Sequence, residues 1–271
     1  MIRRLVASAT LVAALVAGLV IAAPAGAEPL RIVGGPGGGC IVGAAELPGE
    51  GPGFQTIRRS HSFFWGAPST ITAMETLARQ ARAAGLPDLY MNDISKPRGG
   101  PFPGVHASHM LGLDADVWLD VRPKPVLTPA MRDGLEVESL VRADGRGVEP
   151  GRWSPAHATL IRMAATLPGV DRILVNAAIK RQLCEAPAGE RAWLRRVRPW
   201  YGHGAHMHIH FACPAGQAEC HDQAPPPPGD GCDASLQWWF DRLDAPPGPV
   251  TAARAPVLPA ACAAILAGPP G

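Results

Sequence analysis

Two short segments of this chain alternate apolar residues with histidine or aspartate, and this alternation predicts that both are strands of a half-buried sheet. The segment GLDADVWLD covers residues 112–120, and AHMHIHFA covers residues 205–212. Successive side chains of a strand point to opposite faces, so each segment can pack one face into a core. The chain must therefore build a sheet whose other face is rich in imidazoles and carboxylates.

Apolar residues at helical spacing predict helices over residues 69–85, 154–169 and 177–184, and the apolar run DRILVN at 171–176 predicts a further strand. The chain has 31 glycines and 30 prolines among 271 residues, which favours long loops around a modest sheet. Residues 34–53 are rich in both, and we interpret them as an irregular, disulfide-tied arm. The predicted fold class is α+β, with a small antiparallel sheet flanked by helices and long disulfide-tied loops.

The N-terminus has the features of a secretory signal. A basic start, MIRR, is followed by an apolar run up to Ala23 and by the small-residue motif AGA before Glu28. A retained membrane anchor is the alternative, because the run is nearly long enough to span a bilayer, but the AGA motif favours cleavage. We predict a signal peptide over residues 1–27. Residues 28–271 are then a single domain with a loop-rich, proline-containing C-terminal tail.

Cysteine content is consistent with export to an oxidising compartment. An even number of cysteines in an exported chain predicts three disulfides, and none of the cysteines forms a CxxC pair. The six positions are Cys40, Cys184, Cys213, Cys220, Cys232 and Cys262. Cys213 and Cys220 are close enough in sequence to close a short loop after a strand, while Cys40 and Cys262 lie near the two ends of the mature chain and could join them.

The charge balance argues against a polyanionic partner. Removal of the leader takes away two arginines and no acidic residue, which leaves equal numbers of basic and acidic residues. A nucleic-acid-binding domain needs a basic face, so nucleic acid is not a predicted partner. No later apolar segment is long enough to span a bilayer, so we predict no stable membrane anchor after the leader is removed.

The polar faces of the two alternating segments predict a metal site. His206, His208 and His210 share one face of the later strand, so two imidazoles can converge on one point. Alternatively, these histidines are only the polar face of an edge strand. His109 and Asp116 make the first interpretation stronger, because one histidine of the strand then completes a three-ligand set. Three protein ligands and one open position are typical of catalytic zinc.

The segments DISKPRGGPFPGVHASHMLGLDADVW (93–118) and RPWYGHGAHMHIHFACP (198–214) resemble the penicillin-insensitive murein endopeptidases. These are exported zinc peptidases that cut cross-links in bacterial peptidoglycan, and they belong to a wider group with a small antiparallel sheet. The resemblance extends over most of the mature chain and implies zinc as the cofactor. It implies His109, Asp116 and His208 as the zinc ligands.

The same resemblance implies roles for the other histidines. His206 corresponds to the general base that takes a proton from the attacking water, and His203 to a group near the developing oxyanion, as a hydrogen-bond donor or a proton shuttle. His106 corresponds either to an additional metal ligand or to a partner of one.

We therefore predict a periplasmic, zinc-dependent murein endopeptidase that hydrolyses D-alanyl–diaminopimelate cross-links, with peptidoglycan stem peptides as its partner. Two alternatives remain. One is a D-Ala-D-Ala carboxypeptidase, although such relatives usually have an acidic base where this chain has His206. The other is a periplasmic metal-binding protein without catalytic activity. The sequence predicts no oligomeric state.

Overall fold

A computed structural model of the chain describes residues 28–104, 106–185, 189–245 and 255–269. The predicted signal peptide, residues 1–27, lies outside the described residues. In the described ranges, no helix has the length and apolar character needed to cross a membrane.

The described residues form short strands and helices that alternate along the chain. The strands are β1 (Arg31–Gly35), β2 (Gly38–Val42), β3 (Ala45–Glu46), β4 (Glu50–Gly51), β5 (Phe54–Thr56), β6 (Trp65–Gly66), β7 (Leu89–Met91), β8 (Asp114–Trp118), β9 (Val170–Val175), β10 (Val197–Pro199) and β11 (His206–Phe211). The α-helices are α1 (Pro68–Ala83), α2 (Pro129–Asp133), α3 (Pro155–Thr166), α4 (Ala177–Cys184), α5 (Ala234–Asp241) and α6 (Ala261–Ala267).

The central sheet is larger than the sequence predicts and is mixed. It has seven strands in the order β10-β9-β11-β8-β7-β5-β4. The prediction of a small antiparallel sheet was wrong in size and in direction, because β10 pairs with β9 and β5 pairs with β7 in parallel. Strands β4, β5 and β10 have only two or three residues each, which is too short for a period of two to be recognised.

Residues 34–53 are not an irregular arm, as their composition had suggested. Strands β1 and β2 form an antiparallel hairpin there, in which Val33 lies opposite Cys40. The sequences RIVGG and GGCIV carry few side chains, so they lack the alternation by which a strand is predicted. Gly34 has a φ of +99°, and a Cβ at this position would lie 2.3 Å from the carbonyl oxygen of Gly38, so only glycine fits this close turn.

The two strands predicted from alternation lie together at the middle of the sheet. β11 is hydrogen-bonded to β8 on one side and to β9 on the other. Met207 and Ile209 of β11 belong to the same buried apolar cluster as Leu160 and Ile161 of α3. Burial of these side chains fixes which face of β11 is turned away from the core, and that face carries the histidines.

Three disulfides connect the loops and the C-terminal part to this sheet. Cys40–Cys262 joins β2 to α6, Cys184–Cys232 joins the end of α4 to the segment before α5, and Cys213–Cys220 closes the loop after β11. The two pairings suggested by the sequence are therefore present. The C-terminal part is more ordered than predicted, because Cys262 is completely buried against β1 and β2.

One buried lysine ties α4 to two loops. Lys180 is fully buried, and its Nζ donates hydrogen bonds to the carbonyl oxygens of Leu194 at 2.8 Å and Asp230 at 2.6 Å. Burial lowers the pKa of Lys180 to about 7, and the neighbouring Arg198 acts in the same direction. A neutral amine still has enough protons to serve both carbonyl groups.

Replacement of Lys180 by Met is expected to lower the free energy of unfolding at pH 9 by about 1–3 kcal/mol, because two buried carbonyl groups lose their donor. The loss should shrink toward pH 7. The pKa of Lys180 is about 7 in the folded chain against an ordinary value of 10.5, so between these values the unfolded chain holds the extra proton and wild-type stability rises with pH. Urea unfolding of both proteins at pH 7 and pH 9 measures this, and a difference that is independent of pH would contradict it.

Candidate metal centre

The register between β8 and β11 brings the predicted ligands face to face. His208 lies directly opposite Asp116, and His210 lies opposite Asp114. Opposed residues of neighbouring strands point to the same face, so their side chains can touch. His208 Nδ1 is 3.2 Å from Asp116 Oδ1, and His208 Nε2 is 3.0 Å from Asp114 Oδ1. One imidazole is therefore held between two carboxylates.

His109 reaches the same point from the loop that leads into β8. Its φ is +66°, a left-handed conformation that is uncommon for a residue other than glycine and that recurs at functional sites. The loop is held there because the His109 N–H donates to Asp114 Oδ2 at 2.9 Å. His109 Nδ1 lies 2.9 Å from the carbonyl oxygen of Ile94, so this nitrogen carries the proton and Nε2 presents its lone pair.

The free nitrogen of His109 is the clearest indication that this cluster fits a cation. His109 Nε2 is buried and makes no hydrogen bond to any described residue, although Asp116 Oδ1 is only 3.5 Å away. A buried acceptor without a partner is costly, and a metal ion between the nitrogen and the carboxylate would remove that cost. The unpaired nitrogen and the nearby carboxylate therefore show that these residues are suited to bind a metal ion.

His106 belongs to the same cluster. One ligand atom from each of His106, His109 and Asp116 can be chosen so that the three lie within 4.8 Å of one another. His106 Nε2 is 2.5 Å from Asp93 Oδ2, which leaves Nδ1 as the other nitrogen of the ring. A carboxylate on the outer nitrogen of a histidine is the usual arrangement behind a metal ligand. Asp93 follows a short strand, and nothing in its sequence context singles it out.

The electrostatics of the cluster favour positive charge at its centre. Burial opposes charge on Asp114 and Asp116, yet the surrounding imidazoles hold the pKa of both carboxyl groups well below the ordinary value. Burial also opposes charge on His208, but its hydrogen bonds to Asp114 and Asp116 raise its pKa to about 10. The pKa of His109 is raised in the same sense, against burial, mainly by Asp116. Nitrogen and carboxylate donors around a point that stabilises a cation suit zinc.

Asp114 is the residue that the sequence analysis left without a role. It is completely buried and accepts from three groups, namely His208 Nε2 at 3.0 Å, His210 Nδ1 at 2.7 Å and the His109 N–H. The sequence feature that could have pointed to Asp114 is its position on the polar face of the alternating segment, next to Asp116. Because His208 Nε2 donates to Asp114, Nδ1, the nitrogen that faces Asp116, is the one that would give up its proton to bind a metal ion. His210 donates its Nδ1 proton to Asp114 and therefore lies behind the cluster as a hydrogen-bond partner of this carboxylate.

His206 and His203 form the outer edge of the site. His206 Nε2 lies 3.7 Å from Asp116 Oδ2, and the His206 side chain is 30% exposed. The ring of His203 is 4.9 Å from that of His206 between centroids, and its Nδ1 is 2.6 Å from the Tyr201 carbonyl oxygen. Burial lowers the pKa of His206 and lowers that of His203 to about 4, so both imidazoles are neutral at neutral pH. All six predicted site residues thus lie in one cluster.

Comparison with known proteins agrees with this arrangement. Residues 32–267 match the family model described as penicillin-insensitive murein endopeptidase. Proteins of that name from Klebsiella pneumoniae subsp. pneumoniae and Salmonella heidelberg are each 44% identical to this chain, over 228 and 232 residues, with 84% of this chain and 83% of the relative covered. The Haemophilus influenzae protein of that name is 42% identical over 235 residues, with 85% and 80% covered. The chain belongs to the penicillin-insensitive murein endopeptidase family, a peptidase family.

Proposed function

We propose that this protein is a zinc-dependent murein endopeptidase that hydrolyses D-alanyl–diaminopimelate cross-links between stem peptides of peptidoglycan. The observation that carries the proposal is the buried, unpaired Nε2 of His109 facing Asp116, which in turn faces His208 Nδ1. Family membership supports the peptidase chemistry and the murein substrate.

Three side chains would hold the zinc ion, namely His109 through Nε2, Asp116 through a carboxylate oxygen and His208 through Nδ1. When bound, zinc supplies Lewis acidity that polarises the scissile carbonyl group and lowers the pKa of the attacking water. His106 is 4.2 Å from His109 between ring centroids and is backed by Asp93, so it is the candidate for an additional ligand. With one carboxylate among its three protein ligands, a bound Zn²⁺ ion would keep a net positive charge, which favours this Lewis acidity.

His206 is the proposed general base. It is the histidine beside Asp116 that is both open to solvent and neutral at neutral pH, and a neutral imidazole can accept a proton from the attacking water. His203 keeps its proton on Nδ1, toward the Tyr201 carbonyl group, so its Nε2 is an acceptor. This tautomer favours a proton-shuttle role for His203 over donation to an oxyanion.

The proposed location is the periplasm. Three disulfides form in the protein, and such bonds persist in oxidising compartments outside the cytosol. The substrate of the family lies in the cell wall, and the signal peptide predicted over residues 1–27 supplies the route of export.

The function is tested with the mature protein, residues 28–271, and purified cross-linked muropeptide dimers whose products are identified by mass spectrometry. We expect conversion to monomers, loss of activity with a chelator and recovery on addition of zinc, because the three ligands hold the ion on which hydrolysis depends. Release of terminal D-alanine with intact cross-links would instead indicate a carboxypeptidase. Intact dimers with stoichiometric zinc bound would indicate a metal-binding protein.

Variants of β11 separate metal binding from proton transfer. His208→Ala should abolish stoichiometric zinc binding, since it removes a ligand. His206→Ala should keep zinc but lower kcat by about 10²–10⁴-fold, the usual contribution of a general base. Zinc content by atomic absorption and kcat with the muropeptide dimers measure the two effects. His221→Ala, at an exposed histidine away from the cluster, is the matched control and should change neither. Equal zinc loss in both β11 variants would refute this division of roles.

Asp114→Asn should weaken zinc binding by about 10–100-fold, the usual effect of removing the partner of a ligating histidine. Three donors converge on Asp114, whereas an amide has one acceptor oxygen and adds a donor that favours the wrong tautomer of His208. Competition with a chromophoric chelator measures the affinity. The control is Asp120→Asn. Asp120 lies just beyond the end of the same strand and forms an ion pair with Arg122, so this variant should bind zinc normally. Unchanged affinity in Asp114→Asn would contradict this role.

A further inference from the structure

Four aromatic side chains, three of them exposed and Trp239 half-buried, form a continuous cluster beside the candidate metal centre. Trp200 and Tyr201 precede His203 in the chain, and Trp238 and Trp239 belong to α5. Ring centroids of Trp239 lie 4.8 Å from Tyr201, 6.1 Å from Trp200 and 5.2 Å from Trp238. We call these four residues the aromatic platform.

The platform is more exposed than packing of the fold requires. Trp200 is 50% exposed, Tyr201 is 56% exposed and Trp238 is 47% exposed. Helix α5 is anchored without Trp238, because Leu236 and Phe240 are its buried residues. Large aromatic side chains that remain together on a surface are typical of a binding site.

Three of the four platform residues line a groove that has polar groups at its edge. The groove encloses about 360 Å³ and is lined by Trp200, Tyr201 and Trp239 together with Asn176 and Arg242, while Trp238 lies beside it, next to Trp239 and Arg242. The Arg242 guanidinium lies 4.6 Å from the centre of the Trp238 ring, which helps to fix the orientation of that ring. The groove thus combines flat apolar surfaces with hydrogen-bond donors and acceptors.

One short loop connects the residues that line the groove to the candidate metal centre. Asn176 Nδ2 donates to the Gly202 carbonyl oxygen at 2.9 Å, and the Asn176 N–H donates to the His203 carbonyl oxygen at 2.9 Å. The Tyr201 carbonyl oxygen accepts from His203 Nδ1. Trp200 and Tyr201 of the platform therefore lie within three residues of His203, in a loop that Asn176 holds in place.

We propose that the aromatic platform binds the glycan strand of peptidoglycan by stacking against its N-acetylated amino-sugar rings. The apolar C–H face of a pyranose ring packs on an aromatic ring, while its hydroxyl and acetamido groups can reach Asn176 and Arg242. The inference rests on the proposed function, because the glycan is the part of that substrate that carries the stem peptide. A stem of three or four extended residues spans roughly 10–14 Å, which keeps the sugar near a cross-link held at the metal centre.

The first test measures binding of chitotetraose, an N-acetylglucosamine tetramer, to the chelator-treated mature protein by NMR titration. Saturable binding is expected, weakened at least tenfold in Trp238→Ala and largely restored in Trp238→Phe. Met131→Ala, an exposed apolar residue on α2, is the matched control and should bind normally. Absence of binding in the wild-type protein, or equal binding in Trp238→Ala, would overturn the proposal. This test needs neither metal nor hydrolysis, so its outcome is independent of the proposed function.

The second test compares two cross-linked dimers, one with its disaccharides and one from which an amidase has removed them. Trp238→Ala should raise KM about tenfold for the first dimer only and leave kcat unchanged for both. An equal rise in KM for both dimers would mean that the platform contacts peptide, and no change for either would mean that it contacts no part of the substrate. Either result would refute glycan binding. A wild-type protein that binds chitotetraose but cuts neither dimer would refute the proposed function and leave the platform standing.

Discussion

The candidate site depends on one buried carboxylate that accepts three hydrogen bonds. Asp114 fixes the His109 loop through a backbone N–H, fixes the His208 ring through Nε2 and occupies His210. A buried carboxylate is tolerated only when its charge is fully compensated, so these three donors cannot separate without a large cost in free energy. The left-handed backbone of His109 is kept in place by the same interaction. The backbone position of His109 and the ring orientation of His208, two candidate metal ligands, therefore have a common origin.

That dependence explains how a site with strong local charge can be built in the middle of a sheet. β11 lies between β8 and β9, where a lone charge would be expelled. Asp114 and Asp116 alternate with Ala115 on β8, so the charges share a face while the apolar residue faces the core. Carboxylates and imidazoles then compensate one another in pairs across the strands. The paired charges create a place for a cation that neither strand would provide alone.

The sequence predicts those parts of the fold that depend on local periodicity, and the six site residues that it predicts lie close together in the fold. Alternation in β8 and β11 is visible because each residue there has a side chain of clear polarity. Helix α4 also follows from the sequence, at residues 177–184. The short strands β4, β5 and β10 have no such pattern, because their pairing is decided by neighbours far away in the chain. The glycine-rich hairpin of β1 and β2 cannot be predicted for a related reason, since it has too few side chains to show an alternation of polar and apolar residues.

The contacts behind the ligands are harder to predict, because they require the register of strands and the path of loops. His208 and Asp116 are 92 residues apart, and a slip of one residue would place them on opposite faces. Asp93 lies in the loop that follows β7, and it contacts His106 because this loop turns back toward the candidate metal centre. Asp114 was on the predicted polar face, but its role depends on the backbone of His109, which no sequence pattern describes. The local sequence therefore indicates which residues are candidate ligands, whereas the residues that support them are determined by the tertiary structure.

The three histidines on one face of strand β11 differ in depth and in the groups that they contact. His210 is 3% exposed and bonded to Asp114, His208 is 4% exposed between two carboxylates, and the side chain of His206 is 30% exposed. The two inner imidazoles are fixed by carboxylates, whereas burial without a close hydrogen bond keeps His206 neutral. His208 and His206, two residues apart on one face, therefore have pKa values that move in opposite directions, because His208 lies between two carboxylates and His206 does not. The residues that precede His206 lead outward through His203 to the exposed Tyr201, which belongs to the aromatic platform that we propose as the glycan-binding surface.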